Sequence, residues 1–220
     1  MISKQVLRKN VKAVLKQIPA VDIQHQSENI TNALIPILEP YASIACYMSM
    51  GQGEFDTKYI IKHLFEVGNK KVYLPRCTTT NETGHKSLRG LGDVHHPHLT
   101  FHELKSWEQV NRLNPQGKYQ LREPEREDPA PHPPKLDVIL TPGVAFQLDD
   151  GRRIGHGAGY YDDFFQRYHI QHNNKPNHKK PILLGLALNQ QIVDCIPREA
   201  HDYFMDGIVC GDGKIHWINK

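Results

Sequence analysis

Apolar residues recur at three- and four-residue steps through the first part of the chain, at Val6, Leu7, Val11, Val14, Leu15 and Ile18. That period predicts an amphipathic helix from Ser3 to about Ile18, with Ser3 as N-cap and Pro19 beyond its end. A second helix is predicted from about Asp22 to Leu38, on Ile30, Ala33, Leu34, Ile37 and Leu38, closed by Pro40. The pattern then changes. Ser43 to Met48 is a short apolar run that reads as a buried strand, and it empties into a glycine-bearing stretch from Ser49 to Thr57. Helical register returns from Thr57 to Glu66, followed by a strand from Lys71 to Arg76. Thr78 to Gly92 is polar and turn-rich, which predicts a loop or hairpin followed by weak strands. Val138 to Leu140, bounded by Asp137 and Pro142, suits a strand buried on both faces. A helix from Asp163 to Ile170, a strand from Pro181 to Leu188 and a last strand from Asp206 to Cys210 complete the order. Strands alternating with helices predict a three-layer α/β/α sandwich with a mostly parallel, Rossmann-like central sheet. Ligands should then meet where Met48, Arg76, Thr141 and Leu188 reach the strand ends.

With 220 residues, 39% hydrophobic and 23% charged, the chain is ordinary globular material and is expected to form one domain over residues 1–220. Glu125 to Pro134, with four prolines among charged residues, reads as an exposed connector too short to divide domains. The net charge of +3 is small and its cations are dispersed, so a nucleic-acid partner is not demanded. Cys46, Cys77, Cys195 and Cys210 lie far apart without a CxxC pair, which argues against a zinc ribbon or a disulfide framework. No run approaches the roughly eighteen apolar residues needed to cross a bilayer.

The chemistry concentrates between Leu136 and Phe165. Gly155, Gly157 and Gly159 alternate, leaving a backbone able to turn with φ > 0 and to offer bare N–H groups to phosphate oxygens. Arg152 and Arg153 precede them with guanidinium forks suited to phosphate, Tyr160 and Tyr161 can stack on a planar ligand, and Asp162 supplies a hard oxygen for magnesium. The spacing is neither GxGxxG nor a P-loop, so it fits a nucleotide site or merely a tight bend. Lys4 and Arg8 share one helical face, as a grip on an anion or as a solvated basic face. Glu54 stands at the carboxyl end of a strand or simply favours a helix N-terminus, and Arg76 on the residues alone is a surface cation. His95, His96, His98 and His102 invite a metal, but no matching carboxylate or thiol set accompanies them.

The stretch Pro142 to Asp162 matches Pro-Gly-x-x-Phe followed by Arg-x-Gly-x-Gly-x-Gly-Tyr-Tyr-Asp, and in this it resembles the 5-formyltetrahydrofolate cyclo-ligase family, also called 5,10-methenyltetrahydrofolate synthetase. The resemblance implies an ATP- and Mg²⁺-dependent enzyme that cyclises 5-formyltetrahydrofolate. It implies that the Lys4, Gln5, Val6, Leu7, Arg8 turn binds ATP together with Arg153, Ile154, Gly155, His156, Gly157, Ala158, Gly159, Tyr160 and Tyr161. Met48 and Glu54, with the loop from His156 to Tyr160, would hold the folate, although one extra residue separates Met50 from Glu54. Arg153, Tyr161 and Asp162 would carry the catalytic work, and Asp162 with Asp202 would hold Mg²⁺. Trp107 stacks on the pterin or fills a gap, and Lys118 to Pro124 resembles a family stretch ending in Glu-Pro; the strand ending in Pro75-Arg76 is similar to one in the family and implies that Arg76 faces the ligand's anionic groups. His156 and Ala158 depart from residues that relatives often carry. Loss of a basic residue at Ala158 would weaken anion binding, with His156 compensating below neutral pH. The first acidic residue is Asp22, so the start is similar to a mitochondrial presequence; functional Lys4 and Arg8 favour instead a cytoplasmic, monomeric enzyme with a small-molecule substrate and no nucleic-acid or membrane partner. The competing readings are a sugar-phosphate isomerase or CoA-transferase-like enzyme, and a noncatalytic folate or nucleotide sensor.

Overall fold

The computed structural model describes residues 2–51, 53–84, 97–116, 120–127, 131, 135–172, 179–199 and 202–218. Its helices are α1 (Lys4–Leu15), α2 (Ala20–Leu38), α3 (Lys58–Val67), α4 (Thr80–Thr83), α5 (Trp107–Asn111) and α6 (Tyr160–His172). Its strands are β1 (Ser43–Ala45), β2 (Lys71–Thr79), β3 (Pro97–Leu104), β4 (Pro115–Gln116), β5 (Leu121–Arg122), β6 (Val138–Thr141), β7 (Ala145–Phe146), β8 (Arg153–Ile154), β9 (Ile182–Ala187), β10 (Gly207–Cys210) and β11 (Ile215–Trp217).

Seven strands form one sheet in the order β11-β10-β9-β6-β1-β2-β3. The five central strands run parallel, and β3 and β11 add an antiparallel strand at each edge. Apolar side chains leave both faces of the sheet, as the uninterrupted Val138-Ile-Leu run requires. On one face Leu7, Val11 and Leu15 of α1 join Ile30 and Leu34 of α2 and Ile60 and Leu64 of α3. On the other, Phe164, Phe165 and Tyr168 of α6 pack on Ile139, Phe101 and Ile208. The expected three-layer α/β/α sandwich with a mostly parallel sheet is the fold.

Local chemistry fixes the ends. The Ser3 hydroxyl accepts the Val6 N–H at 3.3 Å, so the expected cap of α1 forms. Gly68 ends α3 at φ 78, a left-handed turn that a side chain would strain.

Three sequence expectations are corrected. The strand beginning at Lys71 does not end at Arg76 but runs to Thr79, and the weak strands expected after it are one eight-residue strand, β3, paired with β2 from Val72–Leu104 to Thr79–Pro97. Its polar residues misled: His98, Thr100 and His102 are buried, at 1%, 4% and 3% exposure. Thr100 Oγ lies 2.9 Å from His102 Nε2, and His102 Nδ1 lies 2.8 Å from Glu127, so the strand buries polar groups by pairing them. Helix α6 starts at Tyr160, three residues before the predicted start, which puts Tyr160, Tyr161 and Asp162 in its first turn. His95, His96, Lys118, Tyr119 and most of the 125–134 connector lie outside the described residues; among those described, no group of three potential metal ligands occurs.

Candidate active site

The site forms where β1 and β6 end and α6 begins. After Thr141 the chain turns through Pro142 and Gly143, where the Phe146 ring would lie 2.5 Å from any added Cβ, and enters the β7–β8 hairpin. Val144 N donates to Ile154 O at 2.6 Å and Gln147 N to Arg152 O at 2.9 Å. This hairpin sorts the two arginines. Arg152 turns away to Asp150 and the Ile196 carbonyl, while Arg153 is carried inward with a side chain only 3% exposed. Its Nη2 donates to Asp162 Oδ1 at 3.2 Å, and its guanidinium lies 5.5 Å from the Tyr161 ring centroid.

The glycine loop follows. Gly157 and Gly159 adopt φ of 112 and 79, as alternating glycines permit, whereas Gly155 does not use the left-handed region. The loop feeds the N-terminus of α6, the end of a helix that favours an anion. Helix α1 lies across it: Arg8 Nε donates to Gly155 O at 2.8 Å. One turn earlier, Lys4 Nζ reaches Asp202 Oδ1 at 2.7 Å and Oδ2 at 2.8 Å, and Glu199 at 3.2 Å. Tyr203 N donates to Asp162 Oδ1 at 3.4 Å, so Asp202 and Asp162 stand on adjoining pieces of the same wall.

A largely apolar cavity of about 340 Å³ opens beneath the loop. It is lined by the predicted Met48, Glu54, Arg153, Gly155, His156, Ala158, Gly159, Tyr160, Tyr161 and Asp162. A second cavity of about 570 Å³ adjoins it and shares Met48, Met50, Glu54, Leu121 and Arg122. The extra residue before Glu54 is therefore absorbed by the loop, in which Gly51 and Gly53 turn at φ 98 and 85. Glu54 Oε2 accepts the Met50 N–H at 2.7 Å, and burial, opposed by that bond, pushes its pKa up to about 7.

Other expectations are corrected. Leu7 belongs to the core, and Gln5 and Val6 project into solvent, so of the first turn only Lys4 and Arg8 reach the site. Ile154 is buried in the core behind Arg153. Arg76 is not a free surface cation: its Nη1 donates to Gln116 Oε1 and to the Pro124 carbonyl, both at 2.8 Å, fastening the β4–β5 segment. Trp107 packs against the core and fills a gap. His156 is exposed at the cavity mouth, and partial desolvation there, then the charges of Lys12 and Arg8, lower its pKa to about 4, against the compensation expected of it below neutral pH. Sequence reading missed Lys12, which continues the four-residue spacing of Lys4 and Arg8, and it missed Tyr47, one position before Met48 at the strand end.

An open parallel sheet with an anion-binding helix N-terminus and a ring-sized apolar cavity at its strand ends defines a layered α/β enzyme of small molecules. Residues 1–211 match the model of the 5-formyltetrahydrofolate cyclo-ligase family. The chain is 50% identical over 223 residues to the 5-formyltetrahydrofolate cyclo-ligase of Saccharomyces cerevisiae, covering 99% of this chain and 100% of that one. It is 30% identical over 215 residues to that of Mus musculus, covering 96% and 94%. In fold it is similar to the 5,10-methenyltetrahydrofolate synthetases of Aquifex aeolicus (TM-score 0.69, 23% identity, 99% and 93% covered) and Mycoplasma pneumoniae (0.61, 19%, 97% and 100%). The chain belongs to the 5-formyltetrahydrofolate cyclo-ligase family of enzymes.

Proposed function

We propose that this protein, as a single domain, converts 5-formyltetrahydrofolate and ATP into 5,10-methenyltetrahydrofolate, ADP and phosphate. The observation that carries the reading is that one cavity is lined both by the glycine loop with Arg153 and Asp162 and by Met48, Glu54 and Tyr161. A phosphoryl donor and a ring substrate can therefore meet without leaving the protein's interior. Phosphorylation of the formyl oxygen turns a poor leaving group into a good one. N10 then attacks the formyl carbon, its proton departs, and the C–O bond breaks to release phosphate and leave the methenyl bridge. The protein's share is alignment and charge neutralisation.

Arg153 is placed for the transferred phosphoryl group, Arg8 and Lys4 for the phosphates behind it, and the turn at Gly157 and Gly159 for backbone donation. The buried Arg153 Nε has no hydrogen-bond partner among the described residues, which supports a role toward an incoming oxygen. Asp162 and Asp202 fit Mg²⁺, which takes one or two carboxylates and completes its shell with water and phosphate oxygens. Bound there, it would offset polyphosphate charge. Each carboxylate currently pairs with a cation, Asp162 with Arg153 and Asp202 with Lys4, so phosphate and metal would take over both halves of existing pairs. The same proposal makes the enzyme monomeric and cytoplasmic.

The purified protein mixed with 5-formyltetrahydrofolate, ATP and Mg²⁺ should develop the near-ultraviolet absorbance of the methenyl product. Folate binding without turnover would leave a sensor, and indifference to folate would leave another phosphate-binding α/β enzyme.

A further inference from the structure

Tyr47 is 3% exposed and lines the cavity, yet its phenolic oxygen is wholly buried and has no hydrogen-bond partner among the described residues. Tyr161 Oη is in the same condition on the same cavity. Two orphaned hydroxyls in one cavity call for a physical reason, because a buried polar group without a partner costs the free protein stability. Tyr47 stands at the strand end, two residues past β1 and just before Met48.

The neighbours supply complementary groups. Glu54, Tyr47, Tyr161 and Arg153 line the same cavity, and the Arg153 guanidinium lies 5.5 Å from the Tyr161 ring centroid. One cavity thus holds a carboxyl group, two phenols and a guanidinium. Burial holds both phenols far above their usual range, so they stay protonated and can donate. A 5-formylated pterin presents matching groups on one edge: the 2-amino group and N3–H as donors, then the C4 oxygen, then the formyl oxygen beside it.

Resting on the proposed function, we infer that Tyr47 is a substrate-binding and specificity residue whose phenol donates to the C4 oxygen of the pterin, next to the formyl oxygen that Tyr161 and Arg153 face. Glu54 takes the adjacent ring donors. Tyr47 reads the oxo group, and the pair of phenols fixes the ring so that the formyl group points at the phosphoryl donor.

Tyr47→Phe removes the hydroxyl and keeps the ring. The free variant should unfold at the wild-type temperature or slightly above it, because it loses an unpaired buried group. Its dissociation constant for 5-formyltetrahydrofolate, by calorimetry, should rise about tenfold, with folate KM following and ATP KM unchanged. A folate bearing an amino group in place of the C4 oxygen should bind the wild type more weakly than the oxo compound, and the variant should lose that preference. A lower unfolding temperature with unchanged folate affinity makes the phenol structural and overturns the inference, as does a preference for the oxo compound retained in full. Wild-type protein that binds no folate removes the proposed function and this inference together; equal binding by wild type and variant removes this inference alone.

Discussion

Asp162 occupies the first turn of α6, where it accepts from both Arg153 and Tyr203 N. Asp162→Asn keeps an acceptor for these bonds but loses the charge, so turnover should fall by about a thousandfold or more while the thermal midpoint moves little. Glu54 gives a pH-dependent prediction. It ionises near 4.5 in the unfolded chain and near 7 in the fold, so between those values the fold retains a proton that the unfolded chain has lost. Stability contributed by this group therefore falls as pH rises through that window and is lowest above it. The fall amounts to at most about 3 kcal/mol. Glu54→Gln should flatten this slope between pH 5 and 8 in paired thermal melts; an unchanged slope would place the titration elsewhere. At this scale the sequence was informative where chemistry is local. The Arg-x-Gly-x-Gly-x-Gly-Tyr-Tyr-Asp spacing singled out Arg153, Tyr161 and Asp162, and the fold brings all three to one cavity, because neighbours in the chain are neighbours in the loop. The Tyr47 hydroxyl was hidden, since whether a buried phenol has a partner depends on contacts from distant segments.

Among the elements, α1 matters beyond its length. Its apolar stripe of Leu7, Val11 and Leu15 enters the core, and its basic stripe of Lys4, Arg8 and Lys12 faces the glycine loop, so one 3.6-residue period serves packing and binding together. Removing the bidentate tie between Lys4 and Asp202 should loosen this helix. In Lys4→Met, amide hydrogens of α1 should exchange faster, and calorimetric affinity for ATP should drop about tenfold. Wild-type exchange in α1 would show that core packing alone holds it. The helices and parallel strands were readable because their apolar periods are clean. Strand β3 was not, because burying His98, Thr100 and His102 depends on the partners supplied by Glu127 and by α6, where Arg167 Nη2 donates to Leu99 O at 2.9 Å. The three-residue β11 was likewise missed; it follows a turn at Gly213, φ 79, and has too few residues to show a period.

In the whole molecule, one sheet gathers strands from Ser43 through Trp217, and the cavity draws its walls from α1, the segment after β1, β2, β3, β5, β8 and the start of α6. Long-range assembly of this kind explains why the fold class could be argued from alternation while the strand order could not. The four cysteines are free. Burial raises the thiols of Cys46, Cys77 and Cys210, which leaves Cys195 as the exposed one. In the native protein a thiol reagent should therefore modify one cysteine quickly and the other three only on unfolding, and the melting temperature should be the same with or without reductant. Two or more fast sites would mean that the sheet opens around Cys77 far more readily than its packing implies.

The strap that α1 lays over the glycine loop also bears on how the enzyme is handled at the bench. A purification handle fused ahead of Met1 would hang close to Lys4, which the proposed function assigns to ATP phosphates, whereas one fused after Lys220 would follow β11 at an edge of the sheet. Preparations of the first kind should bind ATP more weakly until the handle is clipped off.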